Sequence, residues 1–123
     1  AIEEVAPDQV SKYGIVSGTL IDNSNNLYEV NNLVEKPDIS NSPSNLAIIG
    51  RYILTPDIFE ILRKIQPGKN GEIQITDALL SQAKKGKVIA YKFKGRRFDC
   101  GSIECYVSAI GYYAQKLGIQ ISH

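Results

Sequence analysis

The chain has 123 residues, 43% hydrophobic and 22% charged, with a formal net charge of +1. That length suits one domain able to bury roughly two thirds of its unfolded surface, and the composition is ordinary for a soluble globular protein. The near-neutral balance gives no electrostatic footprint for nucleic acid or an anionic membrane, and no apolar run approaches the roughly 20 residues of a spanning helix.

Residues 1–7, "AIEEVAP", open on strand-like chemistry rather than on a signal-peptide pattern, and the chain contains no methionine. A piece of a longer protein is the expectation. Residues 13–22, "YGIVSGTLID", are rich in β-branched side chains, and "NSNN" at 23–26 is turn chemistry before "LYEVNNLVEK" at 27–36. These predict an antiparallel hairpin. A polar loop follows over 37–45, and "LAIIGRYIL" at 46–54 reads as a strand buried on both faces.

Thr55 is the expected N-cap of a first helix, with Pro56 at its first position and Asp57 complementing the dipole. Ile58, Phe59, Ile61, Leu62 and Ile65 form its apolar stripe, and "QPGKNG" at 66–71 stops it. A second helix is expected over about 72–85, with Gly86 as its stop, then a strand over 87–95. Gly101 or Ser102 opens a third helix that should bury Ile103, Tyr106, Val107, Ile110, Tyr113 and Leu117 before Gly118. The order implies an α/β fold with too few strands for a complete doubly wound sheet, which again suggests a fragment.

The basic clusters "KKGK" (84–87) and "KGRR" (94–97) read as solvated turns. Cys100 and Cys105, five apart at one helix start, suit neither a disulfide nor a zinc site; reduced thiols in a cytoplasmic protein are expected. The lone histidine, His123, is terminal and expected to be disordered, which leaves no Ser–His–Asp or Cys–His arrangement. There is no G-x-G-x-x-G and no P-loop.

Three stretches can carry chemistry. In "FDCGS" (98–102), Asp99 follows a strand and precedes a helix start, with Gly101 allowing close backbone approach. One carboxylate there suits Mg²⁺, which takes one or two protein carboxylates plus substrate phosphates, and it equally suits a helix cap. In "VEKP" (34–37), Glu35 can accept hydrogen bonds from vicinal sugar hydroxyls and Lys36 can meet a phosphate. Pro37 should hold Lys36 extended. Neighbouring strand residues point to opposite faces, so the two reach one ligand only at a strand end; otherwise they are surface charges. Gly14 in "KYGIV" offers bare backbone to a ligand or marks a bulge. Glu72, Gln74 and Asp77 in "GEIQITDALL" are explained by a helix dipole.

Together "KYGIV", "LVEKP", "PSNLAIIGRYIL", "GEIQITDAL" and "FDCGS" resemble, in order and approximate spacing, the bacterial UTP–glucose-1-phosphate uridylyltransferases. "VEKP" is shared with other sugar-nucleotide pyrophosphorylases, whereas "PSNLAIIGRYIL" with "EIQITDA" and "DCG" is more specific to this branch. The resemblance implies transfer of UMP from UTP to glucose 1-phosphate, with Mg²⁺ required, by in-line attack on the α-phosphorus. It implies that Glu35 binds glucose hydroxyls and that Lys36, the catalytic residue, binds the sugar-linked phosphate. Gly14 would approach the sugar through its backbone, Asn45 and Ala47 would lie beside it, and Asp99 would be one of two aspartates on the metal.

The implied fold is the C-terminal half of a Rossmann-like mixed sheet of the nucleotide-diphospho-sugar transferases, with a β-hairpin and about three helices. The family's glycine-rich triphosphate loop, "GxGTR…PK…KE", and its first metal aspartate do not occur in these residues. Residues 1–123 are therefore expected to be the sugar-phosphate-binding portion, inert alone, with glucose 1-phosphate and UDP-glucose as ligands. A non-catalytic sugar-phosphate-binding or oligomerisation module is the rival reading, since missing strands would leave apolar faces suited to homo-oligomers. A related enzyme for another nucleotide or sugar is a third.

Overall fold

The computed structural model describes residues 1–68 and 71–120. The expectation for His123 lies outside the described residues. The chain divides into two compact units, Ala1–Phe93 and Lys94–His123.

The first unit contains β1 (Ile2–Glu4), a 3-10 helix (Pro7–Lys12), β2 (Gly14–Asp22), β3 (Leu27–Glu35), a short 3-10 helix (Ile39–Asn41), β4 (Leu46–Ile48), α1 (Ile58–Leu62), α2 (Ile75–Ala83) and β5 (Ile89–Tyr91). The strands form one sheet in the order β1-β4-β2-β3-β5, and each of these neighbouring pairs is antiparallel. An isolated parallel bridge joins Ile2 to Lys92, and the Phe93 N–H donates to the Ile2 carbonyl at 3.3 Å. Beside it the Lys92 ammonium donates to Glu4 at 2.6 Å. That bond holds the Glu4 carboxyl below its ordinary range and the Lys92 ammonium above its own.

The hairpin forms as its turn residues predict. The Asp22 carboxylate accepts from the Asn25 backbone N–H at 3.1 Å and from Asn25 Nδ2 at 2.7 Å, and Asn26 takes a left-handed φ of 54°. The β2–β3 ladder runs from Asp22 opposite Leu27 to Gly14 opposite Glu35, with register shifts between Leu20 and Asp22 and between Ser17 and Gly18. A bulge of this kind bends a ladder and increases its twist. Gly18 is confined there: a Cβ would lie 2.2 Å from the Glu29 carbonyl oxygen.

Alternation along β2 builds two cores. Val16 joins Ile2, Val30 and Leu33 beneath Ile58 of α1 and Ala78, Leu79 and Ala83 of α2. Its neighbour Ile15 faces the other way and packs with Val10 and Ala47. The small side chains at 78 and 83 let α2 lie close against β3.

Several elements are shorter than their patterns suggest. The strand expected over 46–54 ends at Ile48; Gly50 turns at φ 75°, and Ile53 is fully exposed at 103%. Apolar residues on both faces signal a need for burial, yet a strand also needs a continuing ladder, and beyond Ile48 there are single contacts with Ala1, whose carbonyl accepts from the Ile49 N–H at 3.3 Å and whose ammonium donates to the Arg51 carbonyl at 2.6 Å. Of the run 87–95, Ile89–Tyr91 forms the ladder with β3; on either side the Val88 carbonyl accepts from the Val30 N–H and the Lys92 N–H donates to the Asn26 carbonyl, both at 3.0 Å. The first helix begins after Asp57 rather than after Thr55, whose hydroxyl donates to the Asp57 carboxylate instead of capping an N–H. The second starts at Ile75 and stops where Gly86 takes φ 67°.

The second unit holds α3 (Ile103–Leu117). Ser102 caps it by accepting from the Cys105 N–H at 3.2 Å, and Gly118 closes it in the left-handed conformation, both as the sequence indicates. Cys100 and Cys105 are free. Phe98 packs on Tyr112 and Tyr113 with ring centroids 5.2 and 6.1 Å apart, and the Arg96 guanidinium lies 4.8 Å over the Phe98 ring. The burial expected for the α3 stripe does not occur: Ile103 is 79% exposed, Val107 59% and Leu117 68%, with Tyr106, Ile110 and Tyr113 also exposed. Only Ala109 and Ala114 on this helix are buried. Periodicity identified the apolar face correctly, but helical spacing carries no information on what covers it.

Gly18→Ala should destabilise the chain by about 1–3 kcal/mol, because the new methyl meets backbone rather than a flexible side chain. Gly111→Ala on α3, where a Cβ meets nothing within 4 Å, should stabilise by up to about 1 kcal/mol. Denaturant midpoints of the two variants would move in opposite directions.

Candidate functional site

The β2–β3 ladder terminates at Gly14 and Glu35, and that terminus is where polar side chains collect. Thr76, in the first turn of α2, donates its hydroxyl to Glu35 Oε2 at 2.6 Å, a bond between residues 41 apart in the chain. Thr76 is 4% exposed. Gly14 leaves room for this bond, since a Cβ on it would stand 3.0 Å from the same Oε2 and 3.2 Å from Ile48 Cδ1.

Lys36 departs from expectation. The residue before a proline is biased to extended backbone, yet Lys36 sits at φ 43°. A non-glycine residue in this region costs on the order of 1–3 kcal/mol and persists only where its surroundings impose it. Here its N–H donates to the Tyr13 carbonyl at 3.0 Å, holding the turn against the start of β2. The turn answers the geometric objection to a Glu35–Lys36 pair, because the strand has ended between them. Both residues line one open depression of ≈ 530 Å³ together with Asp38, Glu72, Gln74 and Asp77. That volume falls within the range of about 300–1,000 Å³ typical of small-molecule sites.

A second depression adjoins the first through Glu35 and Gln74, and is lined by Lys12, Gly14, Ile48, Tyr52 and Thr76 among others. Burial pushes the Tyr52 phenol above its ordinary pKa, and the nearby Glu35 carboxylate raises it further. Gln74 Nε2 donates to Glu72 at 3.0 Å. Among the described lining residues of the larger depression, Lys36 is the sole cation beside the carboxylates of Glu35, Asp38, Glu72 and Asp77. Many acceptors around one ammonium suit a polyhydroxylated molecule carrying a single anionic group.

Asn45 and Ala47 line neither depression. Asn45 donates to Glu4 at 3.3 Å and borders a different depression beside Pro7 and Ser44. Ala47 is fully buried between Val10 and Ile15. Asp99 belongs to the second unit, where its carboxylate accepts from the Gly101 N–H at 3.2 Å and pairs with Arg97 at 3.4 Å. Its side chain is 57% exposed. Among the described residues no three His, Cys, Asp or Glu side chains cluster to hold a metal. A single exposed carboxylate still fits Mg²⁺, whose sphere is commonly completed by substrate phosphates and water.

Sequence reasoning assigned Glu72, Gln74 and Asp77 to a helix dipole and passed over Thr76 and Tyr52. Thr76 did carry a signal: it lies three residues before Leu79 and seven before Ala83, a polar residue on the buried face of α2. Glu35→Gln should lower the Tyr52 pKa while leaving it above that of an ordinary phenol, because burial, the larger cause, remains. Carbon-detected NMR titration of labelled tyrosines would record this; an unmoved Tyr52 would place the carboxylate too far away to act.

The sequence and the fold have counterparts among known proteins. Residues 1–116 match the family model described as nucleotidyl transferase. A UTP–glucose-1-phosphate uridylyltransferase of Pseudomonas aeruginosa is 56% identical over 117 residues, covering 95% of this chain and 41% of the relative. A solved UDP-glucose pyrophosphorylase complexed with UDP-glucose superimposes with a TM-score of 0.85 at 58% identity, over 94% of this chain and 43% of the other. A UTP-bound enzyme from Acinetobacter baumannii gives 0.74 at 35% identity, over 94% of this chain and 39% of its own. The chain thus spans about two fifths of the proteins it matches, and a family match reaching from its first strand into its last helix makes it a member of the nucleotidyl transferase family.

Proposed function

We propose that this chain supplies the sugar-phosphate side of a UTP–glucose-1-phosphate uridylyltransferase. The observation that carries the reading is the convergence of Glu35 and Lys36 on one depression at the end of β3. The 56% identical relative bearing that activity and the 58% identical structure solved with UDP-glucose support it. In the reaction a phosphate oxygen of glucose 1-phosphate attacks the α-phosphorus of UTP, and pyrophosphate leaves with the electrons of the broken P–O bond.

In this reading Glu35 accepts hydrogen bonds from the sugar's hydroxyls, and the Lys36 ammonium meets the attacking phosphate. Holding both ends of the sugar phosphate fixes the nucleophile's direction, and the lysine lessens charge repulsion as two phosphates approach. Gly14 keeps the β2 side of the site free of a side chain. Bound Mg²⁺ would neutralise charge on the reacting phosphates, with Asp99 as one of its ligands. Contacts to uridine and the triphosphate would come from outside these residues, which lack the family's glycine-rich loop. Free, exposed Cys100 and Cys105 are in keeping with a cytoplasmic setting, and among the described residues no helix is long and apolar enough to cross a membrane.

In the full-length enzyme Lys36→Ala should lower kcat/KM by about a hundredfold or more, whereas Lys84→Ala, on an exposed turn after α2, should leave it near the parent value. Steady-state kinetics with UTP and glucose 1-phosphate distinguish these. Equal effects would return "VEKP" to a pair of surface charges.

A role in assembly is favoured by the exposed apolar stripe of α3. Under that reading the stripe meets a second copy, and sedimentation would show association that Ile110→Glu abolishes. A monomer at all concentrations would dismiss it.

A further inference from the structure

We propose that Thr76 is a positioning residue for sugar-phosphate recognition: its hydroxyl holds Glu35 Oε2 at the N-terminal turn of α2, so that Oε1 is the oxygen left to accept from the ligand. The inference rests on reading Glu35 as the acceptor of sugar hydroxyls and adds what makes that acceptor selective. A glutamate at a strand end has three rotatable bonds and, unrestrained, would sample many orientations of its carboxylate. Here one oxygen is held: Thr76 Oγ1 lies 2.6 Å from Oε2, and bare Gly14 leaves the carboxylate that position, since a Cβ there would stand 3.0 Å from the same oxygen.

The helix itself adds to this. Thr76 stands in the first turn of α2, where unpaired backbone N–H groups favour a negative charge. Thr76 is almost fully buried, so its χ1 is held by packing as well as by β-branching, and its hydroxyl donates from a fixed point. The two elements that meet at this bond, β3 and α2, share the hydrophobic core of Val30, Leu33, Ala78, Leu79 and Ala83. Core packing thereby sets the direction in which the site presents its acceptor.

The test uses the full-length enzyme. Thr76→Val keeps the shape of the side chain and removes the donor; it should raise KM for glucose 1-phosphate about tenfold while KM for UTP stays unchanged. Thr76→Ser restores the donor and should restore KM. On a Glu35→Gln background, Thr76→Val should add less than about twofold, since its effect passes through the carboxylate. Gly14→Ala brings a Cβ to 3.0 Å from the same Oε2 and 3.5 Å from Thr76 Oγ1, so it disturbs the same bond and should give the same sugar-phosphate-specific signature, which keeps the test open should Thr76→Val not fold. Additive effects, an equal rise in both KM values, or a serine variant as impaired as the valine would overturn the proposal. If Glu35→Gln alone leaves KM for glucose 1-phosphate unchanged, the reading of Glu35 as the sugar acceptor fails, and the role of Thr76 falls with it.

Discussion

Because Gly14 carries no side chain, the carboxylate of Glu35 opposite it can lie against the start of α2 and accept from Thr76. Everything at the candidate site follows from that register. A slip of β3 by one residue against β2 would turn Val30 and Leu33 away from the helices and carry Glu35 to the other face. The hydrophobic core and the polar site are therefore specified by the same pairing. The bulge at Gly18 introduces the bend between the turn end of the hairpin and the site end, and it does so where only a glycine fits against the Glu29 carbonyl.

Lys36 shows how a local backbone preference yields to tertiary constraint. Proline at 37 argues for an extended residue before it, but the hydrogen bond from Lys36 N–H to the Tyr13 carbonyl and the end of the ladder hold it at φ 43°. Strain at such a position is characteristic of sites where a side chain must be aimed. The consequence is chemical: adjacent residues of opposite charge face one depression, which alternation along a continuing strand would forbid. Carboxylates at 35, 38, 72 and 77 and the one ammonium at 36 thus line the same surface.

The exposed apolar surfaces carry a different lesson. Ile53, the α3 stripe and Phe59 have the residue types of a buried interior, and they are exposed in this chain. Pattern reasoning measures the tendency of a segment to be covered, whereas coverage depends on which other segments are present. A chain spanning about two fifths of its relatives keeps the tendency without all the partners.

The amino-acid sequence by itself determined the hairpin, the helices' C-terminal stops at Gly86 and Gly118, the Ser102 cap and the α/β class. These rest on local chemistry: turn residues, glycine's access to positive φ, and hydrophobic period. It also singled out Glu35 and Lys36 as a pair, through neighbouring motifs of family type. Only the tertiary structure decided that the pair faces one depression, that Thr76 and Gly14 constrain its carboxylate, and that Ala47 is buried while the α3 stripe is not. Such facts depend on contacts between residues as far apart as 35 and 76, where chain spacing carries no distance.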